Sequence, residues 1–109
     1  LQGATWELSE FESHAIHSKP ATIQFLKDSQ LAGFNGCNRY FGNYNMGGEL
    51  AQIRITGSTK MACSGEANEL SQEFSSVLER VYQVNIDDRG RLILSTRGGR
   101  QMTFKQQSE

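Results

Sequence analysis

Apolar residues recur along this chain in two rhythms, and the change between them marks its one expected helix. From Thr5 to Phe11 the pattern alternates, with Trp6 and Leu8 on one face, as in a half-buried strand. His14 to Lys19 is polar and reads as loop, and the lone proline, Pro20, follows it. Thr22-Ile23-Gln24-Phe25 is a short alternating strand. Leu31 to Phe34 comes after the polar turn Lys27-Asp28-Ser29. Asn35 to Tyr44 is rich in glycine, asparagine and aromatics. It reads as strand broken by a bulge, with Gly36 and Gly42 supplying backbone angles that other residues resist. Gly47-Gly48 predicts a hairpin turn, and Glu49 to Ile55 then alternates with Ile53 and Ile55 on one side.

After a compact connection, Gly57 to Ser64, the period changes to that of a helix over Glu66 to Tyr82. Leu70, Phe74, Val77, Leu78 and Val81 fall on one stripe, with Glu69, Gln72, Glu73, Ser76 and Glu79 largely around it. Ser64 suits the N-cap. Glu66 and Glu69 lie where the helix dipole favours anions, and Arg80 lies near the other end. Alternation returns in Gln83 to Asp87 (Val84 and Ile86 inward), Arg91 to Ser95 (Leu92 and Leu94) and Gln101 to Phe104 (Met102 and Phe104). Asp88-Arg89-Gly90 and Gly98-Gly99 make the turns between them. Strands, one helix, then strands predict a single α+β domain spanning residues 1–109, with its core over about residues 5–105. Its architecture is a strongly curved, half-barrel-like antiparallel sheet of about seven or eight short strands, packed on one α-helix. The indole of Trp6 is expected in or at the edge of that core.

Composition narrows the partners more than the fold. The 109 residues are the size of one domain, 37% hydrophobic and 21% charged. Formal net charge is -1 with the basic residues scattered, so no nucleic-acid partner is expected. No apolar run is long enough to span a bilayer. The chain shows no signal peptide, and Leu1-Gln2-Gly3 looks like the start of a mature or trimmed domain. The two cysteines, Cys37 and Cys63, are too far apart for a CxxC motif. Their spacing leaves a disulfide, two buried thiols or one reactive thiol open.

His14 and His17 read as exposed loop histidines, and metal binding would need more ligands than they supply. Glu10 with Glu12, and Asp87 with Asp88, read as solvated surface and a turn. No Ser-His-Asp geometry is defined. No catalytic residue, metal or cofactor is therefore expected. Asn38, Arg39, Tyr40 and Tyr44 are candidates for a polar, aromatic binding edge. Set against this, an Asn beside a Gly-rich bend commonly satisfies its own backbone, and a strand Tyr commonly packs its ring with the hydroxyl at the rim. Thr59 and Lys60, just before the helix, offer an anion site or, more simply, a structural connection.

The segment Gly36-Cys37-Asn38-Arg39-Tyr40-Phe41-Gly42-Asn43-Tyr44 resembles the GCN-x-Y-x-G-x-Y signature of the META domain, the family that includes the heat-inducible protein HslJ. Ser58-Thr59-Lys60-Met61-Ala62-Cys63 resembles that family's T-[KR]-M-x-C segment, and Glu73-Phe74 followed by Leu78 resembles its helix pattern. The opening Trp6-x-Leu8 and the closing Leu92-x-Leu94 with Phe104 fit as well, so the resemblance runs from about Thr5 to Lys105. It implies a curved antiparallel sheet on one helix and a bacterial envelope location, periplasmic or as an outer-membrane lipoprotein. It also implies links to heat shock, novobiocin tolerance and, in parasites, virulence and motility, with no enzymatic activity. In an oxidising periplasm it implies that Cys37 and Cys63, one in each signature block, are paired.

The expected function is that of a monomeric, non-enzymatic stress-associated domain contacting an envelope protein or component. The expected contact edge comprises Gly36, Asn38, Arg39, Tyr40, Gly42, Tyr44, Thr59 and Lys60. Substituting Tyr40 and Lys60 is expected to abolish the contact without unfolding the domain. The alternatives are a binder of apolar or drug-like small ligands, and an inhibitor module for an envelope enzyme.

Overall fold

Alternating segments this short must pair to satisfy their backbones, and the computed structural model shows how they do so. It describes residues 2–12, 14–15 and 21–107, with the side chains of 14–15 left aside. The expectations for His17, Lys19 and Pro20 lie outside the described residues.

The described residues form nine strands and one helix. These are β1 (Thr5–Phe11), β2 (His14–Ala15), β3 (Thr22–Phe25), β4 (Gln30–Phe34), β5 (Arg39–Gly47), β6 (Leu50–Ser58), α1 (Gly65–Leu78), β7 (Val81–Ile86), β8 (Leu92–Thr96) and β9 (Gln101–Gln106). The sheet order is β2-β1-β3-β4-β5-β6-β7-β8-β9, antiparallel throughout, and β1 pairs with β9 as well. Little β2 hangs on the end of β1, and the other eight strands close into a ring. The expected curvature therefore runs all the way round. Register shifts at Leu8/Glu10, Phe41/Gly42 and Val81/Gln83 supply local bends that such curvature requires. One seam is thin, because β6 and β7 are in register only at Leu50 and Gln83.

The helix lies across the end of the ring where β4 finishes and β5 and β9 begin. Its Phe74 reaches inside, with ring centroids 6.0 Å from Tyr40 and 6.2 Å from Phe104. Val77 and Leu78 are buried with it, in the same core cluster as Leu8, Ile23, Leu92, Leu94 and Met102. Trp6 is buried as expected, and its indole Nε1 has no hydrogen-bond partner among the described residues. At the opposite end Phe25 meets Tyr44 edge-on at 5.0 Å.

Four expectations need correction. The helix stops at Leu78 rather than Tyr82, and Val81 and Tyr82 already belong to β7. Val81 fits the helical stripe and is buried, but from a strand, so the two periods overlap at that residue. His14 to Lys19 is not all loop, since His14 and Ala15 pair with Phe11 and Glu10. Ile86 is 45% exposed although its register partner Leu92 is buried, because Gln83 already lies opposite Leu50, the first residue of β6, and Ile86 runs past that strand. Ser64 stands at the N-cap position, but its side chain makes no capping hydrogen bond.

Candidate interaction surface

The two distinctive segments meet where β5 begins and β6 ends. Asn35, which sequence reasoning passed over, organises the first of them. Its Oδ1 accepts from the backbone N–H of Cys37 at 3.0 Å and of Asn38 at 2.7 Å. Its Nδ2 donates to Ser75 Oγ of the helix at 3.3 Å. The bend expected around Asn38 is thus made by Asn35, which is the better placed because its side chain is buried. Gly36 turns inside this bend at φ +105°, a conformation that needs glycine.

Asn38 instead ties the two segments together. Its Oδ1 accepts from Met61 N–H at 2.7 Å and from the Thr59 hydroxyl at 2.9 Å, and its Nδ2 donates to Met61 C=O at 3.3 Å. The carboxamide therefore pairs with both backbone groups of Met61, much as a neighbouring strand would. Thr59 Oγ1 accepts from Arg39 N–H at 3.1 Å, and Thr59 N–H donates to Arg39 C=O at 2.9 Å. Cys37 and Cys63 are joined by a disulfide, with Cα atoms 6.0 Å apart. Covalent and polar ties together form one clasp across the open end of the β5–β6 hairpin.

The clasp and the neighbouring strands together use up most of the expected contact edge. Tyr40 is only 2% exposed, and its hydroxyl donates to Thr22 C=O at 2.6 Å. Burial pushes its phenol well above the usual tyrosine range. Its expected place at a contact edge is corrected: it belongs to the core. Tyr44 is half-buried, and its hydroxyl donates to Leu26 C=O at 3.0 Å. Gly42 is needed for space rather than for an unusual angle, since a Cβ there would stand 2.0 Å from Arg54 C=O.

What stays outside is different chemistry. Arg39 and Lys60 are exposed. Phe41, one residue beyond Tyr40 and so on the other face of β5, is 55% exposed, and Met61 is 67% exposed. Phe41 lies over Gly57, where an added Cβ would be 2.5 Å from the ring. Further along the same outer face, Asn43 pairs in register with exposed Arg54 of β6. None of Arg39, Arg54 and Lys60 has an ion-pair partner among the described residues. Arg39 also borders a depression of about 380 Å³ on the outside of β1, β3 and β4, lined by Thr5, Glu7, Thr22, Gln24 and Gln107 among others. Phe41, Arg54 and Met61 were absent from the expected edge. Strict alternation along β5, with Tyr40, Gly42 and Tyr44 inward, is the signal that could have found Phe41.

The META domain matches residues 1–109, the whole chain, including both segments joined by this clasp. The chain belongs to the META domain family. No curated protein matches it significantly. Among solved structures, one similar fold is an NMR structure of a protein from Burkholderia xenovorans, at 21% identity and TM-score 0.77, covering 100% of this chain and 85% of the other. A second NMR structure matches at 24% identity and TM-score 0.76, covering 96% and 90%. A crystal structure of a DUF4847 family protein from Bacteroides vulgatus ATCC 8482 matches at 17% identity and TM-score 0.69, covering 95% and 94%. At these identities the likeness concerns the fold. Within the META domain frame, Gly36, Asn38, Tyr40 and Gly42 carry structure, while Arg39, Phe41, Lys60 and Met61 face outward. No described helix is long and apolar enough to cross a membrane.

Proposed function

We propose that this META domain is a non-enzymatic, stress-associated domain of the bacterial envelope that works by contact, through the outer face of β5 and β6 and the segment after β6. The observation that carries this reading is the division of labour in the signature blocks. The polar side chains of Asn38, Tyr40, Tyr44 and Thr59 are consumed inside the fold, and the blocks leave two large apolar side chains, Phe41 and Met61, exposed along with Arg39 and Lys60. Exposed apolar groups accompanied by cations that have no ion-pair partner among the described residues are contact chemistry, not the nucleophile-and-base chemistry of a reaction centre. The disulfide suits an oxidising compartment.

A binder of drug-sized apolar ligands is the weaker reading. The ring interior is filled by Phe25, Tyr40, Phe74 and Phe104, all nearly or fully inaccessible.

The test is site-specific photo-crosslinking in cells. A benzophenone amino acid at position 41 or 61 should give adducts with an envelope component, while the same group at exposed Asn85 on β7 should not. A strain carrying Phe41→Ser with Met61→Ser should lose heat or novobiocin tolerance to the extent that a deletion does. Equal adduct patterns from all three positions, or unchanged tolerance in that strain, would sink the reading.

A further inference from the structure

The outer face of a closed ring of strands is convex, and this decides what kind of partner the exposed face fits. Phe41, Asn43 and Arg39 lie along one side of β5, about 7 Å apart from one to the next by strand geometry. Arg54 sits beside Asn43, and Lys60 and Met61 follow Thr59, whose backbone is bonded to Arg39. Three cations on this face carry +3, so with a formal net charge of -1 the rest of the chain carries -4. The carboxylate of Glu79 reaches Ile55 N–H from the β7-facing edge of β6, not from this face. Anchor residues of a protein interface usually drop into pockets. Here two large apolar side chains are exposed, Phe41 on the convex outer wall of the ring and Met61 in the segment after β6, in company with the exposed basic residues Arg39, Arg54 and Lys60. A soft, flat, negatively charged partner meets that shape best.

We infer that this face docks on an anionic lipid bilayer, with Phe41 and Met61 entering the headgroup region and Arg39, Arg54 and Lys60 facing lipid phosphates. The inference rests on the contact reading above and names its partner. Each cation near such a surface favours binding about fivefold, so the three together favour anionic over neutral vesicles roughly a hundredfold. Salt weakens that preference. Glu66, five residues after Met61, opposes docking, as does Glu7, which lines the same depression as Arg39.

The test is co-sedimentation of the full chain with phosphatidylcholine vesicles, with and without phosphatidylglycerol. Binding is expected only with phosphatidylglycerol and should fall as salt rises. It should be lost in Arg39→Glu with Lys60→Glu, be weakened in Phe41→Ser with Met61→Ser, and tighten in Glu66→Gln. Melting temperatures of these variants should stay near that of the parent. A gain-of-signal variant keeps the idea testable if any of them unfolds. Trp6 is the only native tryptophan and is 5% exposed, so the vesicle-induced change in Phe41→Trp emission, with the parent's subtracted, reports on the new indole. Its emission should shift to the blue on phosphatidylglycerol vesicles and be quenched by bromine in the lipid chains. Equal binding to both vesicle types, or an unshifted Phe41→Trp emission, overturns the inference. If vesicles fail while position 41 still crosslinks an envelope protein in cells, the lipid partner is wrong and the contact reading stands. If both fail, the contact reading falls too.

Discussion

Reducing the Cys37–Cys63 bond is the perturbation whose magnitude the structure sets most directly. The two cysteines are 26 residues apart in sequence. Opening a loop of that length in the unfolded chain lowers stability by about 3.5 kcal/mol on the chain-entropy account. At roughly 2.1 cal/mol/K of unfolding entropy per residue, this 109-residue chain should lose about 15 °C of melting temperature. The figure is an upper one. The loop encloses the β5–β6 hairpin, and any hairpin surviving in the unfolded state already brings the two ends together. Thermal melts of oxidised and reduced protein, alongside Cys37→Ala with Cys63→Ala, give the number. The near-ultraviolet spectrum below the transition should barely change, because Asn38 still ties both segments in the folded state. A reduced protein melting within about 2 °C of the oxidised one would refute the argument. The hairpin and the Asn38 pairing would then be closing the loop without help from the bond.

Other consequences follow from single side chains. Gly42→Ala should cost more than about 3 kcal/mol, because the Arg54 backbone blocks the new methyl. Gly57→Ala should cost less than about 1 kcal/mol, because the Phe41 ring in its way can swing outward; urea titrations of the two variants check the contrast. Tyr40→Phe should lose about 1–2 kcal/mol by leaving Thr22 C=O without its partner. The raised phenol also sets a pH dependence. Unfolded tyrosine ionises near pH 10 while buried Tyr40 stays protonated, so stability is intact below about pH 10 and falls above it. That alkaline slope should shrink in Tyr40→Phe. Asp87 behaves oppositely. Backbone N–H donation from Arg91, with its guanidinium and Arg89 N–H adding to it, holds the carboxyl below the usual range. Its contribution is present above about pH 3.9 and is lost as pH falls through its lowered value, and melts of Asp87→Asn should lack that acid component.

How far the sequence reveals this molecule depends on whether a residue's job is local. Strand alternation placed Leu92, Leu94, Met102 and Phe104 correctly, since period 2 is a property of a few neighbouring residues. It failed at Val81, which satisfies the helical and the strand periods at once, and at Ile86, whose parity is right but which runs past the start of the neighbouring strand β6. Ring closure depends on β1 meeting β9 across nearly the full chain length, and no local pattern encodes that pairing. The candidate surface shows the same division more sharply. A signature motif records what must stay constant to hold a clasp, so it points to Asn38, Tyr40 and Gly42, which turn out to face Met61, Thr22 and Arg54 of the chain itself. The residues left to meet a partner sit between them. Arg39 and Phe41 occupy the alternate positions of β5 that the clasp does not use, and Lys60 and Met61 extend from the segment it pins. In a strand, structure and contact are interleaved at period 2, so the positions adjacent to a structural motif are where an interaction surface on this fold should be sought.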